Sequence, residues 1–421
     1  MRGYGRQRRE KRRRHNVNEN DRLSNLPDCI LLHILSFMNV KYAVQTSMLS
    51  KKWKNLWKHL QTLIVHYSPG FSTFPQFSRF VSRLLTLRDG LVALHDLDFE
   101  LNLPIQPYLL ERIAKYAVSH NVQQLGLTVM CDTGNFPSCI FSSQTLTSLK
   151  LNVQSADHFF KMLFPKSLNL PALTTLHLEH FAFCANGNDR CAKPFSSLNK
   201  LNSLNIVSCS LRDAEVLCIS STTLCNLTVH NRSRNFLYSI ELSSPNLCTF
   251  AFTGVPFQLL SGSRNISSLE QVNIDAQILS NEEAKIDLGT CLNYPTSTPF
   301  ILLSWLEELA NIKSLTISTS TLQVLSLIPH LLELKYPILG SLKSLKVIHK
   351  PLSHGFIKIL IQAKLQKETT KSGKAIAAKL RRAMKKEMFS SIPDGTMDFL
   401  LQNSPSAKVD IISCSTQVDT L

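Results

Sequence analysis

The chain has 421 residues, of which 44% are hydrophobic and only 18% are charged. That balance is too apolar for an intrinsically disordered chain and too poor in charge for a long coiled coil. The formal net charge is +16, but the segments 1–14 and 358–387 carry +7 and +8 of it. The remainder is almost neutral, which disfavours a nucleic-acid groove spread over the folded body.

The cysteines and the hydropathy pattern indicate where the protein works. Eleven cysteines are scattered without a CxxC pair, so neither a disulfide framework nor a zinc module is predicted. No apolar run approaches the roughly 18 residues that span a bilayer, so we expect no membrane association. These features favour the reducing interior of the cell, in the nucleus or the cytoplasm. The basic tail, residues 1–20, is either a solubilising arm or a nuclear import signal.

Three short helices are predicted between residues 21 and 60. The first runs from Asp28 to about Met38 and is apolar almost all round, since only His33 and Ser36 interrupt its hydrophobic side chains. A second covers 41–49, and a third follows Ser50. So small a module leaves apolar surface uncovered, and either the rest of the chain or a partner groove must cover it.

The residues of this module resemble an F-box. The resemblance rests on the segments Asp21–Asp28, Ile30–Phe37 and Ala43–Trp53 and on the pair Leu56-Trp57. The chain is similar to the plant F-box proteins that carry leucine-rich repeats. That family implies docking on a Skp-type adaptor, which connects to the cullin and RING subunits of a ubiquitin ligase.

By match to the motif, eight residues are assigned to adaptor binding: Leu26, Pro27, Ile30, Leu31, Ile34, Leu35, Leu49 and Trp53. Cys29 stands where the family often has an acid, and Met48 where it often has Val. Neither departure breaks the pattern, although a missing acid at Cys29 is expected to lower adaptor affinity.

A helix-bearing connector is predicted around residues 71–77, and an L-x-x-L-x-L pattern then recurs ten times. The instances begin at Leu94, Val122, Leu146, Leu173, Leu201, Leu224, Leu247, Leu269, Ile312 and Leu342. All spacings but one lie between 22 and 30 residues, close to the period of a leucine-rich repeat. The exception, 43 residues, is predicted to hide a degenerate repeat or a loop over 277–311.

The pattern predicts the fold class, which is α/β: a trihelical F-box followed by a leucine-rich-repeat solenoid over 61–357. Each x-L-x-L segment is a short strand with its leucines on one face, and stacked repeats place the strands in a parallel sheet with helices and loops outside. Ten side chains are predicted to line the inner face and to bind a substrate: Lys150, His177, Glu179, Asn205, Thr228, His230, Asn273, Asp275, Thr316 and Lys346. Their mixed charge favours a protein or a small ligand over phosphate.

The C-terminal part departs from the repeat rhythm. The Lys- and Ala-rich insert 358–387 is predicted to be an exposed helix or a flexible insertion rather than a site for an acidic partner. The segment 388–421 predicts a helix, a stop at Pro405 and a strand over 409–412. It resembles the closing FBD segment of the same plant family, which caps the last repeat.

Catalytic patterns are missing from the sequence: it has no glycine-rich phosphate loop, no HExxH and no G-x-S-x-G. The spacing of His177, His180, Cys184 and Cys191 matches no standard zinc pattern, so we predict neither a metal nor a cofactor. We expect core packing, rather than ubiquitin transfer, for four cysteines: Cys209, Cys218, Cys225 and Cys248.

The function predicted from the sequence is that of a non-catalytic substrate receptor in a Skp-cullin-F-box (SCF) type ligase, with a protein substrate of unknown identity on the repeats. Two alternatives stay open: a repeat scaffold that no longer engages the ligase, and a nucleic-acid-associated protein that uses its two basic segments.

Overall fold

The structure is a computed structural model that describes residues 23, 25–68, 70–132, 134, 136–155, 161–185, 190–231, 239–260, 266–278, 294–309, 311–328, 330–334, 339–352, 355–358, 360 and 392–413. These residues form two compact units, one ending at Asp98 and one beginning at Phe99. The tail 1–20 and nearly all of the insert 358–387 lie outside the described residues. In the described part of the chain, no helix has the length and apolar character needed to cross a membrane.

The first unit begins with three helices, as the sequence predicts. They are α1 (Asp28–Ser36), α2 (Val40–Gln45), which continues as a 3-10 turn over Thr46–Met48, and a 3-10 helix over Trp53–His59. Pro27 precedes α1 and Asp28 opens it, which suits a helix start because proline has no N–H to lose and a carboxylate favours the positive helix end.

The remainder of this unit is β1 (Thr62–His66), α3 (Phe74–Leu87) and the start of β2 (Asp96–Pro104). The predicted connector helix is therefore confirmed as α3. β1 was not predicted, although Leu60, Leu63 and Val65 carry the same L-x-x-L-x-V pattern as the later strands. The amide of Asn39 donates to the carbonyl of His66 at 2.7 Å, which ties the turn before α2 to the end of β1.

The second unit is built on one large sheet with the order β2-β3-β4-β6-β9-β12-β14-β16-β17-β18-β19, and every pairing from β3 onward is parallel. All ten predicted repeat instances coincide with one of these strands. Beyond β2, the strands are β3 (Gln124–Met130), β4 (Ser148–Gln154), β6 (Thr175–Glu179), β9 (Ser203–Val207), β12 (Asn226–Asn231), β14 (Thr249–Gly254), β16 (Gln271–Ala276), β17 (Ser314–Ser318), β18 (Ser344–His349) and β19 (Lys408–Ser413).

The register explains why the repeats stack. The second leucines of the L-x-x-L-x-L pattern pair across neighbouring strands, as in Leu149 with Leu176 and Leu204 with Leu227, and all four are buried. Backbone hydrogen bonds just before the strands also link neighbouring repeats. In the first of this series the amide of Thr147 donates to the carbonyl of Gln123 at 2.8 Å, and in the last the amide of Lys408 donates to the carbonyl of Lys343 at 2.9 Å. The result is a leucine-rich-repeat solenoid whose core and backbone ladder both run along its length.

Two smaller parallel sheets lie in the connections between the main strands, with the orders β10-β7-β5 and β15-β13-β11-β8. Their strands are β5 (Met162–Leu163), β7 (Phe181–Cys184), β8 (Cys191–Ala192), β10 (Ser210–Arg212), β11 (Val216–Ser220), β13 (Ser239–Ser243) and β15 (Leu259–Leu260). These strands were not predicted, because they lie outside the recurring L-x-x-L-x-L instances that indicated the strands of the main sheet.

Four helices complete this unit: α4 (Pro107–Ser119), α5 (Tyr294–Glu308), α6 (Thr319–Leu325) and α7 (Thr396–Gln402). α5 lies in the long gap at 277–311, for which a degenerate repeat or a loop was predicted; residues 279–293 of that gap lie outside the described residues, so the prediction is not settled by the helix. It is anchored by Trp305, which is fully buried and donates from its Nε1 to the carbonyl of Phe257 at 2.8 Å. α7 and β19 confirm the helix and strand predicted at the C-terminal end.

Candidate functional site

The first candidate surface is on the helices of the first unit. α1 carries two apolar stripes, one buried and one exposed. Leu31 and Leu35, one turn apart, are 0% and 1% exposed, whereas Ile30 and Ile34 are 44% and 40% exposed. The exposed stripe continues to Phe37, which is 72% exposed. Its ring packs edge-on against the ring of His33, with the two ring centres 4.9 Å apart.

Two more exposed apolar side chains follow α2. Met48 and Leu49 are 89% and 66% exposed. They lie close in sequence to Lys52, whose ammonium donates to the carbonyl of Leu26 and lies 3.6 Å from the carboxylate of Asp28. These contacts hold the segment after α2 against the start of α1. We name the set Ile30, Ile34, Phe37, Met48 and Leu49 the apolar helix face.

The eight residues assigned to adaptor binding divide into two groups. Pro27, Ile30, Ile34 and Leu49 are exposed, and Leu26 is half-buried. Leu31, Leu35 and Trp53 are at most 4% exposed, so their side chains belong to the core of the unit. The assignment of all eight residues to adaptor binding stays a prediction, in which the three buried side chains hold the helices that carry the exposed ones.

Two members of the apolar helix face, Phe37 and Met48, were not assigned from the sequence. Phe37 lies three residues after Ile34 and shares its stripe, a spacing that could have indicated it. Met48 was noted only as a departure from the family pattern. Cys29 is also exposed, on the surface where an acid was expected.

The second candidate surface is the face of the main sheet that lies opposite the buried leucines. Strand pairing aligns its side chains into rows that cross the strands. Seven of the ten predicted substrate residues fall in a single row: Lys150, His177, Asn205, Thr228, Asn273, Thr316 and Lys346. Glu179, His230 and Asp275 lie two residues further along their strands, in the next row. We name these two rows the open sheet face.

A third row lies two residues before the first row on each strand, and it was not predicted. It consists of Gln124, Ser148, Thr175, Ser203, Asn226, Thr249, Gln271, Ser314 and Ser344. The row is rich in hydroxyls and amides, and the hydroxyl of Thr249 donates to the side-chain oxygen of Asn226 at 2.6 Å. The x-L-x-L alternation, read one residue upstream of the first leucine, could have identified it.

Charges on the open sheet face are few and partly paired. The carboxylate of Glu179 lies 3.9 Å from the ring nitrogen of His177 and 3.4 Å from that of His180. Asp275 lies 3.1 Å from the ammonium of Lys350 and accepts hydrogen bonds from Ser318 and Ser320 at 2.6 Å each. Such a surface offers hydrogen bonds and separate charges of both signs, which suits an uncharged polar ligand or an extended peptide.

The cysteines divide by burial. Cys209 is fully enclosed and Cys218 nearly so, and burial raises the pKa of both thiols to about 12. Both are therefore protonated near neutral pH and poor nucleophiles. Cys225 is half-buried and Cys248 is exposed, so core packing is wrong for Cys248 and only partial for Cys225.

The possible metal set consists of His177, His180, Cys184 and Cys191. His177 and His180 both approach the carboxylate of Glu179. Across the residues that the structure describes, no three His, Cys, Asp or Glu side chains converge in a way that could hold a metal ion.

Comparison with known proteins matches both the helical module and the repeats. The F-box domain model matches residues 23–64. The chain is 30% identical to the F-box/LRR-repeat protein At4g14096 of Arabidopsis thaliana over 73% of this chain and 64% of the relative. It is 32% identical to the F-box/LRR-repeat protein At3g26922 of the same plant, over 51% of this chain and 68% of the relative.

A third relative extends further along the chain. The putative F-box/FBD/LRR-repeat protein At4g13965 of Arabidopsis thaliana is 27% identical over 81% of this chain and 82% of its own length. The first of the three relatives is matched over less than two thirds of its length, so the activities and partners of whole relatives are proposals here. By its F-box, its repeat solenoid and these similarities, the chain belongs to the plant F-box/LRR-repeat family.

Proposed function

We propose that this protein is the substrate-recognition subunit of an SCF-type ubiquitin ligase. In this role the F-box holds a Skp-type adaptor, the adaptor connects to the cullin and RING subunits, and the solenoid holds a protein substrate. The observation that carries the proposal is the apolar helix face, five large side chains that are each at least 40% exposed on one small module.

Exposure of this kind has a physical cost that a partner removes. Burying a large aliphatic or aromatic side chain contributes roughly 1.5–3 kcal/mol, so five such side chains can supply most of the energy of a stable interface. The buried Leu31, Leu35 and Trp53 hold the helices that carry the group. A groove lined with apolar side chains is the partner surface that this face fits.

The open sheet face is the proposed substrate surface. Its two rows present amides, hydroxyls and isolated charges on hydrogen-bonded strands. Such a surface favours binding of an extended polypeptide segment that carries few charges. The receptor would contribute proximity, because it holds a substrate lysine beside the carrier of ubiquitin and so makes the transfer nearly intramolecular. No nucleophile of the receptor itself is required.

Co-purification of the full chain with a Skp-type adaptor tests the proposal. We expect a stable complex with the wild type and loss of binding in the double variant Leu26→Ala with Pro27→Ala. Ile34→Asp should also abolish binding, because it places a charge at the centre of the apolar helix face. The matched control is Leu91→Asp, since Leu91 is 96% exposed but lies outside that face.

Failure of the wild type to bind the adaptor would overturn the ligase assignment and favour the scaffold alternative, in which the repeats sequester a partner. Equal loss of binding in Leu91→Asp would show that the assay reports a general effect of added charge.

We further propose that the protein acts in the nucleus or the cytoplasm. The support is the Arg-rich run at 2–14, whose charge suits recognition by an import receptor. A fluorescent fusion that lacks residues 1–14 should shift from the nucleus to the cytoplasm, and an unchanged distribution would leave the run as a solubilising arm.

A further inference from the structure

A cavity of about 360 Å³ lies in the first unit, between α3 and the helices that precede β1. Its apolar wall is formed by Val44, Trp57, Phe80 and Leu84. Trp57 and Leu84 are 7% and 2% exposed, so they close the base, whereas Phe80 and Val44 are half-buried along the side. The volume falls within the usual range of small-molecule sites, roughly 300–1,000 Å³.

Two arginines line the same cavity. Arg79 and Arg83 are both exposed and lie one turn apart on α3, so their guanidinium groups share a helix face. α3 contains neither Asp nor Glu, and within the described part of the chain neither arginine has a hydrogen bond or an ion pair. Two like charges at this spacing repel each other, and nothing described in the chain offsets that repulsion.

Some other exposed cations of the described chain have partners. Lys115 pairs with Glu111 at 2.7 Å, and Lys52 has both Asp28 and the carbonyl of Leu26 as partners. What sets the pair on α3 apart is that two exposed guanidinium groups, with no ion-pair partner among the described residues, line an apolar cavity. Guanidinium groups bind carboxylates through two parallel hydrogen bonds, which no neutral ligand can match.

We propose that this cavity binds a small amphipathic carboxylate, with its apolar body against Trp57 and Phe80 and its anionic group between Arg79 and Arg83. Gln76 lies one turn before Arg79 on the same lining and offers an amide donor to the same group. The limited volume favours a small molecule over a peptide segment. This inference does not depend on adaptor or substrate binding.

Isothermal titration of the full chain with 2-naphthoate, an aromatic carboxylate, tests the proposal. We expect saturable binding of the wild type and at least about tenfold weaker binding of the neutral analogue 2-naphthalenemethanol. The double variant Arg79→Gln with Arg83→Gln should lose a similar factor for 2-naphthoate and little for the alcohol. Both side chains are exposed, so the variant is expected to fold, which its circular dichroism spectrum would verify.

The control is the double variant Lys51→Gln with Lys54→Gln, which removes the same charge from exposed positions of the same unit that do not line the cavity. It should bind 2-naphthoate as the wild type does. Three results would overturn the proposal: no saturable binding of 2-naphthoate, equal binding of the neutral analogue, or equal loss in the control. If the arginine variant instead fails to bind the adaptor while 2-naphthoate never binds, the cavity belongs to the adaptor interface.

Discussion

Arg88 shows how much one residue can organise in the first unit. It follows α3 directly and is 5% exposed. Its guanidinium donates to the carbonyl of Leu60 at 2.8 and 3.2 Å, to that of Ala93 at 2.9 Å and to that of Asp89 at 3.3 Å. It therefore joins the end of the 3-10 helix to the loop that leads into β2.

Replacing Arg88 with Met should lower the free energy of unfolding by about 3 kcal/mol, because buried carbonyls lose charged donors and methionine supplies none. Urea unfolding followed by circular dichroism would measure the change. Arg79→Met is the matched control, since Arg79 is exposed on the preceding helix and should change stability by less than about 0.5 kcal/mol. Equal midpoints for the two variants would contradict the anchoring role of Arg88.

Asp275 is the best-connected acid of the open sheet face. Burial alone raises its pKa, but hydrogen bonds from Ser318 and Ser320 and the charge of Lys350 outweigh burial, so the pKa lies below its ordinary value of 3.8. The folded state therefore holds a proton less readily than the unfolded chain. The stabilisation is complete above about pH 5 and decreases as the pH falls through 3.8 toward the folded pKa.

Asp275→Asn should consequently destabilise the protein by about 1–2 kcal/mol at pH 7 and weaken the acid dependence of its stability. Thermal unfolding between pH 3 and pH 7 would show both effects. Asp410→Asn serves as the control, because Asp410 is an exposed carboxylate on β19. A wild-type pH dependence in Asp275→Asn would rule out this network as its source.

Neither residue's role could be predicted from the sequence. An arginine after an amphipathic helix resembles any solvated cation, and its carbonyl partner at Leu60 lies 28 residues earlier. Asp275 was assigned to the open sheet face by alternation alone, but its ion pair spans 75 residues to Lys350. Periodicity indicates which face a side chain lies on, but pairing over such separations depends on the fold.

At the scale of elements, α1 has two roles on two stripes. Leu35→Ala should lower the free energy of unfolding by about 3 kcal/mol, since it empties a fully enclosed core position. Ile34→Ala, one residue earlier, should change stability much less and instead weaken adaptor binding. Thermal unfolding and adaptor co-purification of both variants would separate the roles, and the same loss of stability in both would show that α1 has no free face.

This division could not be predicted, because α1 is hydrophobic on nearly every side and its sequence does not distinguish Ile34 from Leu35. The repeat strands were predictable for the opposite reason. Each alternates buried and outward side chains, so the ten instances gave both the strands and the rows of the open sheet face. α5 could not be anticipated, since its anchor, Trp305, is a single residue in a long gap.

At the scale of the whole solenoid, the stability of each repeat should depend on the repeats beside it and not on repeats far along the chain. Each strand of the main sheet pairs with the strands beside it, and the backbone bonds before the strands likewise link adjacent repeats. In such an array a local defect weakens the nearest repeats and fades with distance. The last bond of this series runs from the amide of Lys408, at the start of β19, to the carbonyl of Lys343.

Lys408→Pro removes that amide donor, whereas Lys408→Ala keeps it and serves as the matched control. Hydrogen exchange measured by mass spectrometry should show faster exchange in β18 and β19 of the proline variant. Exchange should be unchanged in β9, which four strands separate from β18 in the sheet. Loss of protection along the whole sheet would instead mean that the solenoid unfolds as one cooperative unit. The expected local effect follows from the parallel pairing itself, because β9 and β19 share no hydrogen bond and are coupled only through the strands between them.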